Sequence, residues 1–439
     1  MELKNIAILI FIPYTLLAQK GKWENYSDRQ NLNKNQNKND FLPNANKIQT
    51  AASITNPTPR NASINWQDKQ GNIYIFGGLG TDDNLNEGSF ADLWQFSSKD
   101  LVWKNLSGSR EIEKFNKDNN KKLNPTATAP TARQGAATWA DKQGNLYLFG
   151  GNTGMLDEYL SDFWMFDLKK QTWSKLSNTQ EFNKKSQSSG KNKNNTTNSP
   201  AARAKATTWV DNKGDFWLFG GTAHDYAQSR DVYFNDLWKY DTNKNNWVWV
   251  SGNLDGNTRV LKTEISPSAR ASSAAWFDDI NNVLCLYGGF GLNAEVTAYG
   301  GLSDMWIFDV KKEKWTLKSG DDKLFQSANI KSFAKENSAN NPGYRFSSIT
   351  WKDKKGNFWL FGGQYGFKND TLKSDRMLWK YNNKTSNWSA IFTNTAPPIM
   401  ASGAAMIDDL NNVWLLCGEF IDNSLNMKYS NTIWKFNEE

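Results

Sequence analysis

Short apolar runs alternate with polar turns along this chain, and they do so in a repeating order. Trp66, Trp139, Trp209, Trp276, Trp351 and Met406 each precede, by eleven or twelve residues, a Gly-containing strand end. Four of these ends read Phe-Gly-Gly, at Phe76-Gly77-Gly78, Phe149-Gly150-Gly151, Phe219-Gly220-Gly221 and Phe361-Gly362-Gly363. Variants are Tyr287-Gly288-Gly289 and Cys417-Gly418-Glu419, in which Glu419 stands where the second Gly is expected. The intervening turns are polar, as in Asp68-Lys69-Gln70-Gly71-Asn72 and Asp353-Lys354-Lys355-Gly356-Asn357. Apolar runs around an Asp/Gly/Asn turn predict a β-hairpin, and a Gly pair marks backbone that needs positive φ or a close approach.

A second hairpin follows. Its first strand holds Leu93-Trp94, Phe163-Trp164, Leu237-Trp238, Met305-Trp306, Leu378-Trp379 or Ile433-Trp434. Nine residues after the first five come Trp103, Trp173, Trp247, Trp315 and Trp388. Each unit therefore has four strands, A to D, and six such all-strand units predict a six-bladed β-propeller. The sixth unit lacks a D strand, and Trp23-Glu24-Asn25-Tyr26-Ser27 fits the missing pattern. The N-terminal strand (22–27) is thus expected to complete the last blade, leaving no open edge between first and last units. The expected blades span 57–108, 130–178, 200–252, 267–320 and 342–394, with strands A to C of the sixth at 397–437.

The Pro-x-x-Arg, Trp-x-Asp, Phe-Gly-Gly and Asp-Leu-Trp elements together resemble the kelch family, specifically secreted bacterial kelch propellers of the galactose-oxidase-like superfamily. The resemblance extends over the whole of residues 19–439 and implies the propeller fold. Units here are mostly 68 to 74 residues long, against ~50 for a usual kelch repeat. The excess lies in the D–A linkers and B–C connections, which the alternation of strand direction puts on one face. Binding residues concentrate on variable loops held by a rigid scaffold, so this face is the expected site. The Asn/Lys-rich stretches 31–40, 116–122 and 183–199 are expected to stay disordered, because such composition buries too little apolar area to offset ordering entropy.

Composition adds less. The 21 Trp, 25 Phe and 14 Tyr suit half-buried strands, and the mean hydropathy of −0.71 reflects the polar linkers. The net charge of +7 is read as lysines in solvated loops, since no basic run interleaved with aromatics points to nucleic acid. Cys285 and Cys417 fall in non-adjacent blades and read as small buried hydrophobes. Lys4, the apolar stretch Ile6 to Leu17 and Ala18 read as a signal peptide (1–18), placing the protein in the periplasm, at the cell surface or outside the cell. No later segment is long and apolar enough to span a membrane, and a monomer is expected.

Every A strand opens with a Pro, and three residues on stand Arg60, Arg133, Arg203, Arg270, Arg345 and, in the sixth, Met400. Buried guanidiniums need partners. Asp92, Asp162, Asp236 and Asp304, each two residues before a C-strand Trp, are placed to pair with the first four. Met377 and Thr432 occupy that position in the last two units, which singles out Arg345, with Asp375 nearby, as a candidate for an anionic ligand. The five arginines, Glu419, His224, Tyr226 and Tyr365 form the set of candidate ligand-binding residues. Tyr159, Tyr233 and Tyr299 are further ring-stacking candidates, and Glu419, Arg345 and His224 are the weak catalytic candidates.

Three function classes stay open. The favoured one is a non-enzymatic module that binds a glycan or a protein on the long-loop face. The second is a metal-free acid–base sugar enzyme, as the resemblance to sialic acid mutarotases implies, with Glu419 and Arg345 as the pair. The third is a surface assembly or adhesion component. A galactose-oxidase-like copper site needs more than the single His224, and no phosphate-cradling loop or Cys/His metal spacing occurs, so no cofactor is expected.

Overall fold

The computed structural model describes residues 22–27, 56–68, 70–112, 128–154, 158–177, 183–225, 227–260, 265–368, 371–374, 377–393, 396–398, 401–421 and 426–437. The segment read as a signal peptide, the stretches 31–40 and 116–122, Tyr226, Asp375 and Met400 lie outside them. Among the described residues no helix is long and apolar enough to cross a membrane.

Among the described residues, five four-stranded antiparallel sheets and one five-stranded sheet carry the fold. In the first, strand A is Ile64–Gln67, B is Asn72–Phe76, C is Leu93–Ser97 and D is Val102–Ser107. The other sheets repeat this order. Each B strand is buried on both faces, so its side chains serve two interfaces in alternation. Ile73 and Ile75 pack against the sixth sheet, and Tyr74 and Phe76 against the second. Six apolar clusters join successive sheets in this way, the last joining sheet six back to sheet one, so the ring is closed. Indole N–H groups stitch the same seams. Trp66, Trp139 and Trp209 donate to the carbonyls of Tyr147, Trp217 and Cys285 in the next sheet, at 2.9–3.1 Å.

The closing strand is Lys22–Asn25, which pairs with Ile433–Asn437 in the register Trp23 opposite Phe436. The Trp23 ring lies 5.2 Å from Phe361 and 4.8 Å from Phe436, inside the cluster between sheets five and six. Chain start and chain end thus share one sheet, as the D-strand pattern at Trp23 predicts.

Three findings differ from the sequence reading. The register of the sixth unit moves by one. Cys417 has φ 57° and Gly418 φ 103°, matching Gly77 (62°) and Gly78 (97°). Gly418 N–H donates to Arg60 O as Gly78 N–H donates to Arg133 O. Cys417 therefore holds the first Gly position, and Glu419 is the residue after the pair. The apolar character of Cys417 had matched it to the Phe of the motif.

The B–C connections are hairpins rather than loops. Thr222–Asp225 pairs with Arg230–Tyr233, Gln364–Lys368 with Thr371–Ser374, and Glu419–Ile421 with Met427–Tyr429. The positive-φ pair acts as a bulge after which pairing resumes, seen as register shifts at Phe149/Gly151 and Tyr287/Gly289.

The stretch 183–199, expected to be disordered, is packed. Asn198 is buried and its amide donates to Lys193 O and Trp247 O at 2.7 and 3.0 Å. Asn192 N–H donates to Trp249 O, so the linker covers the outer edge of the third sheet. The linker 328–341 treats the fifth sheet alike, with Asn340 donating to Trp388 O at 3.0 Å and Ala334 N–H to Ala390 O. Side-chain amides supply here what composition alone does not reveal. Unpaired strand edges invite pairing with other chains, and these linkers cover two of them.

Candidate ligand site at the axial mouth

The A strands are innermost and touch one another around the axis. Two residues after each Arg position stand Ala62, Gly135, Lys205, Ser272, Ser347 and Ser402, all with φ between 48° and 62°. Five are not glycine, and a left-handed L-residue persists only where its surroundings over-determine it. Here a belt of backbone hydrogen bonds does so. Gly135 N–H donates to Ala62 O, Lys205 to Gly135, Ser272 to Lys205, Ser347 to Ser272 and Ser402 to Ser347, at 2.7–3.0 Å.

Outside the belt each Arg lies in the ring wall. Arg60, Arg133, Arg203 and Arg270 each donate to both oxygens of Asp92, Asp162, Asp236 and Asp304, at 2.5–3.0 Å. Each also donates to the carbonyl of Gly77, Gly150, Gly220 or Gly288. The indoles of Trp94, Trp164, Trp238 and Trp306 donate to the same Asp groups. Burial pushes the Asp162 carboxyl up, but the charge and hydrogen bonds of Arg133 and the Trp164 bond outweigh it and hold it below its usual value. All four guanidiniums are fully buried, so they hold the wall rather than face a ligand. Arg345 is buried too, donating to Gly362 O and Pro342 O, and its guanidinium lies 5.9 Å from the Trp379 ring.

The residue before each belt position pairs with the residue after each Gly pair, which brings twelve side chains to the mouth on the hairpin face: Asn61 with Leu79, Ala271 with Phe290, Phe346 with Gln364, Ala401 with Glu419, and two more. One side of the mouth is polar. Glu419 is 6% exposed, and its carboxylate accepts from Asn61 Nδ2 at 2.5 Å, Gln364 Nε2 at 2.6 Å and Ser402 Oγ at 3.3 Å. Burial raises the Glu419 carboxyl, more than the Asn61 bond and the Lys205 charge lower it. The opposite side is aromatic. The Phe290 ring lies 5.2 Å from Phe346 and 6.1 Å from both Tyr233 and Tyr299, and Tyr299 is 66% exposed.

A model of kelch repeats, described as the KLHDC2/KLHL20/DRC7 Kelch-repeats domain, matches residues 42–189 and 112–329. The chain belongs to the kelch-repeat family. No curated protein matches it. Kelch domains mediate protein interaction.

The kelch ring separates the candidate residues. Glu419 sits at the mouth, and the four paired arginines lie in the wall. His224 lies on the third hairpin, where its Nδ1 faces Asp231 at 3.2 Å. Tyr365 is in the fifth hairpin, its backbone opposite Lys373. Glu419 accepts from Asn61, Gln364 and Ser402, and Arg345 donates to the carbonyls of Gly362 and Pro342. Sequence reasoning missed Asn61, Gln364, Phe290 and Phe346. Their shared signal is position: one residue beyond the Arg or one beyond the Gly pair.

Proposed function

We propose that this kelch protein is a secreted, non-catalytic interaction module that engages its partner on the face bearing the B–C hairpins and D–A linkers. One observation carries the reading. The hairpins surround an axial mouth at which no two units present the same side-chain pair, as in Asn61 with Leu79, Ala271 with Phe290, Phe346 with Gln364 and Ala401 with Glu419, whereas the wall beneath repeats the same Arg–Asp–Gly network four times. Repetition serves the scaffold, and variation on a rigid frame serves recognition. The apolar stretch from Ile6 to Leu17 supports export.

The test is site-specific photo-cross-linking in the source cells. A cross-linker at Tyr299, on the hairpin rim, should capture a partner. One at Leu410, 82% exposed on the A–B turn of the sixth unit, should not. Capture from Leu410 alone would move the interface to the other face and end this proposal.

A further inference from the structure

The two sides of the mouth differ in chemistry, and they are continuous. Phe346 pairs through its backbone with Gln364, and Gln364 hydrogen-bonds Glu419. An arc of aromatic rings therefore runs directly into an arc of amides and a carboxylate. Asn61 is 8% exposed, and its Oδ1 has no hydrogen-bond partner among the described residues although its Nδ2 is committed to Glu419.

Charge narrows the ligand. Four of the five candidate arginines are taken up in the wall by Asp92, Asp162, Asp236 and Asp304, and the fifth, Arg345, is buried there against the carbonyls of Gly362 and Pro342. Lys205 sits on the belt, its aliphatic stem packed beside Gly135, and its positive charge acts on Glu419. The mouth thus carries one acid balanced by one base, on a chain of net charge +7. Neither a polyanion nor a cation finds an excess of opposite charge there. Aromatic faces that cover C–H surfaces, next to planar amides and a carboxylate that exchange hydrogen bonds with hydroxyls, fit an uncharged polyhydroxylated ligand.

From this juxtaposition we infer that the axial mouth is a saccharide subsite, with Phe290 and Phe346 stacking on a pyranose face and Glu419, Gln364 and Asn61 receiving its hydroxyls. The inference rests on the interaction-face reading above and names the ligand class for it. Glu419 serves as a hydrogen-bond acceptor here and needs no partner acid or base.

Saturation-transfer NMR on the protein with a panel of neutral mono- and oligosaccharides tests it. At least one neutral saccharide should receive saturation. Phe290→Leu, which keeps an apolar side chain in place, and Glu419→Gln, which keeps the shape, should each weaken that binding by about tenfold, the size expected for one lost stacking or hydrogen-bonding contact. Leu410→Ser on the opposite face should leave it unchanged. Thermal melts within a few degrees of the unsubstituted protein exclude misfolding as the cause. Binding that ignores both mouth substitutions would overturn the inference, as would no response from any saccharide. If Tyr299 still cross-links to a protein while no sugar responds, the saccharide subsite fails and the interaction face stands. If neither responds, both readings fall.

Discussion

Asn61 and Glu419 lie 358 positions apart in the chain, yet Asn61 Nδ2 donates to Glu419 Oε2 at 2.5 Å. The bond crosses the seam where the sixth sheet meets the first. It places a mouth residue of the first unit on a carboxylate of the last, so the seam is part of the candidate site.

Because burial raises the Glu419 carboxyl, the folded state holds that proton more tightly than the unfolded chain does. Its favourable contribution is full below the ordinary glutamate value and is lost as pH rises through the raised one. Glu419→Gln removes this titration. Its melting temperature should match the unsubstituted protein near pH 3.5 and exceed it at pH 7 by about 1–3 °C, the shift that goes with ~1 kcal/mol in a large domain. Differential scanning calorimetry across that range reads the sign. A variant less stable at pH 7 would show that the ionised carboxylate holds the seam.

Arg133 and Asp162 make the opposite case. The lowered Asp162 carboxyl contributes stability that is present at neutral pH and lost as pH falls through its folded value. Asp162→Ala leaves a buried guanidinium without its carboxylate and should cost about 3–5 kcal/mol. Replacing both residues, as Arg133→Met with Asp162→Leu, should cost much less, because no charge is stranded. Urea unfolding of the two variants decides. The sixth unit already shows the second solution, with Met400 and Thr432 in place of the pair.

The closing strand depends on Trp23. Trp23→Ala should destabilise the ring by about 3–5 kcal/mol, the usual cost of emptying a large aromatic site. Amide exchange should quicken first in Ile433–Asn437, its pairing partner. Equal acceleration in all six sheets would mean that the ring opens as one unit.

Asn198 and Asn340 hold linkers over the outer edges of the third and fifth sheets. Asn340→Ala should cost about 1–2 kcal/mol locally, as one buried amide leaves its carbonyl acceptors. Faster exchange should be confined to 328–341 and Asn387–Ile391. The same substitution should raise the tendency to associate, since it exposes a strand edge, and sedimentation velocity measures that directly.

The parts legible in the sequence are those where chemistry repeats. The Trp, Gly and Asp-Leu-Trp positions recur because each interface between sheets has the same shape, and Trp23 fits because a D strand needs that indole. The belt was not legible, because only its backbone conformation recurs while its side chains run Ala, Gly, Lys, Ser, Ser, Ser. The ordering of 183–199 escaped because composition counts apolar area and not the reach of a single amide such as Asn198. The role of Glu419 was half visible: its oddity stood out, but Asn61, Gln364 and Ser402 become its neighbours only when the ring closes.

The belt has a consequence for how such a ring can change. Its five hydrogen bonds run in one sense, the second to the sixth unit each donating to the one before, so the spacing of the inner strands is set by the backbone and counted in whole units. Side chains at the mouth can vary freely, because none of them sets the diameter. The number of units cannot drift in the same gradual way. Among the described residues the five bonds join six positions and leave the step from Ser402 to Ala62 unlinked, so a gained or lost repeat must re-form the links on both sides of it at a new curvature.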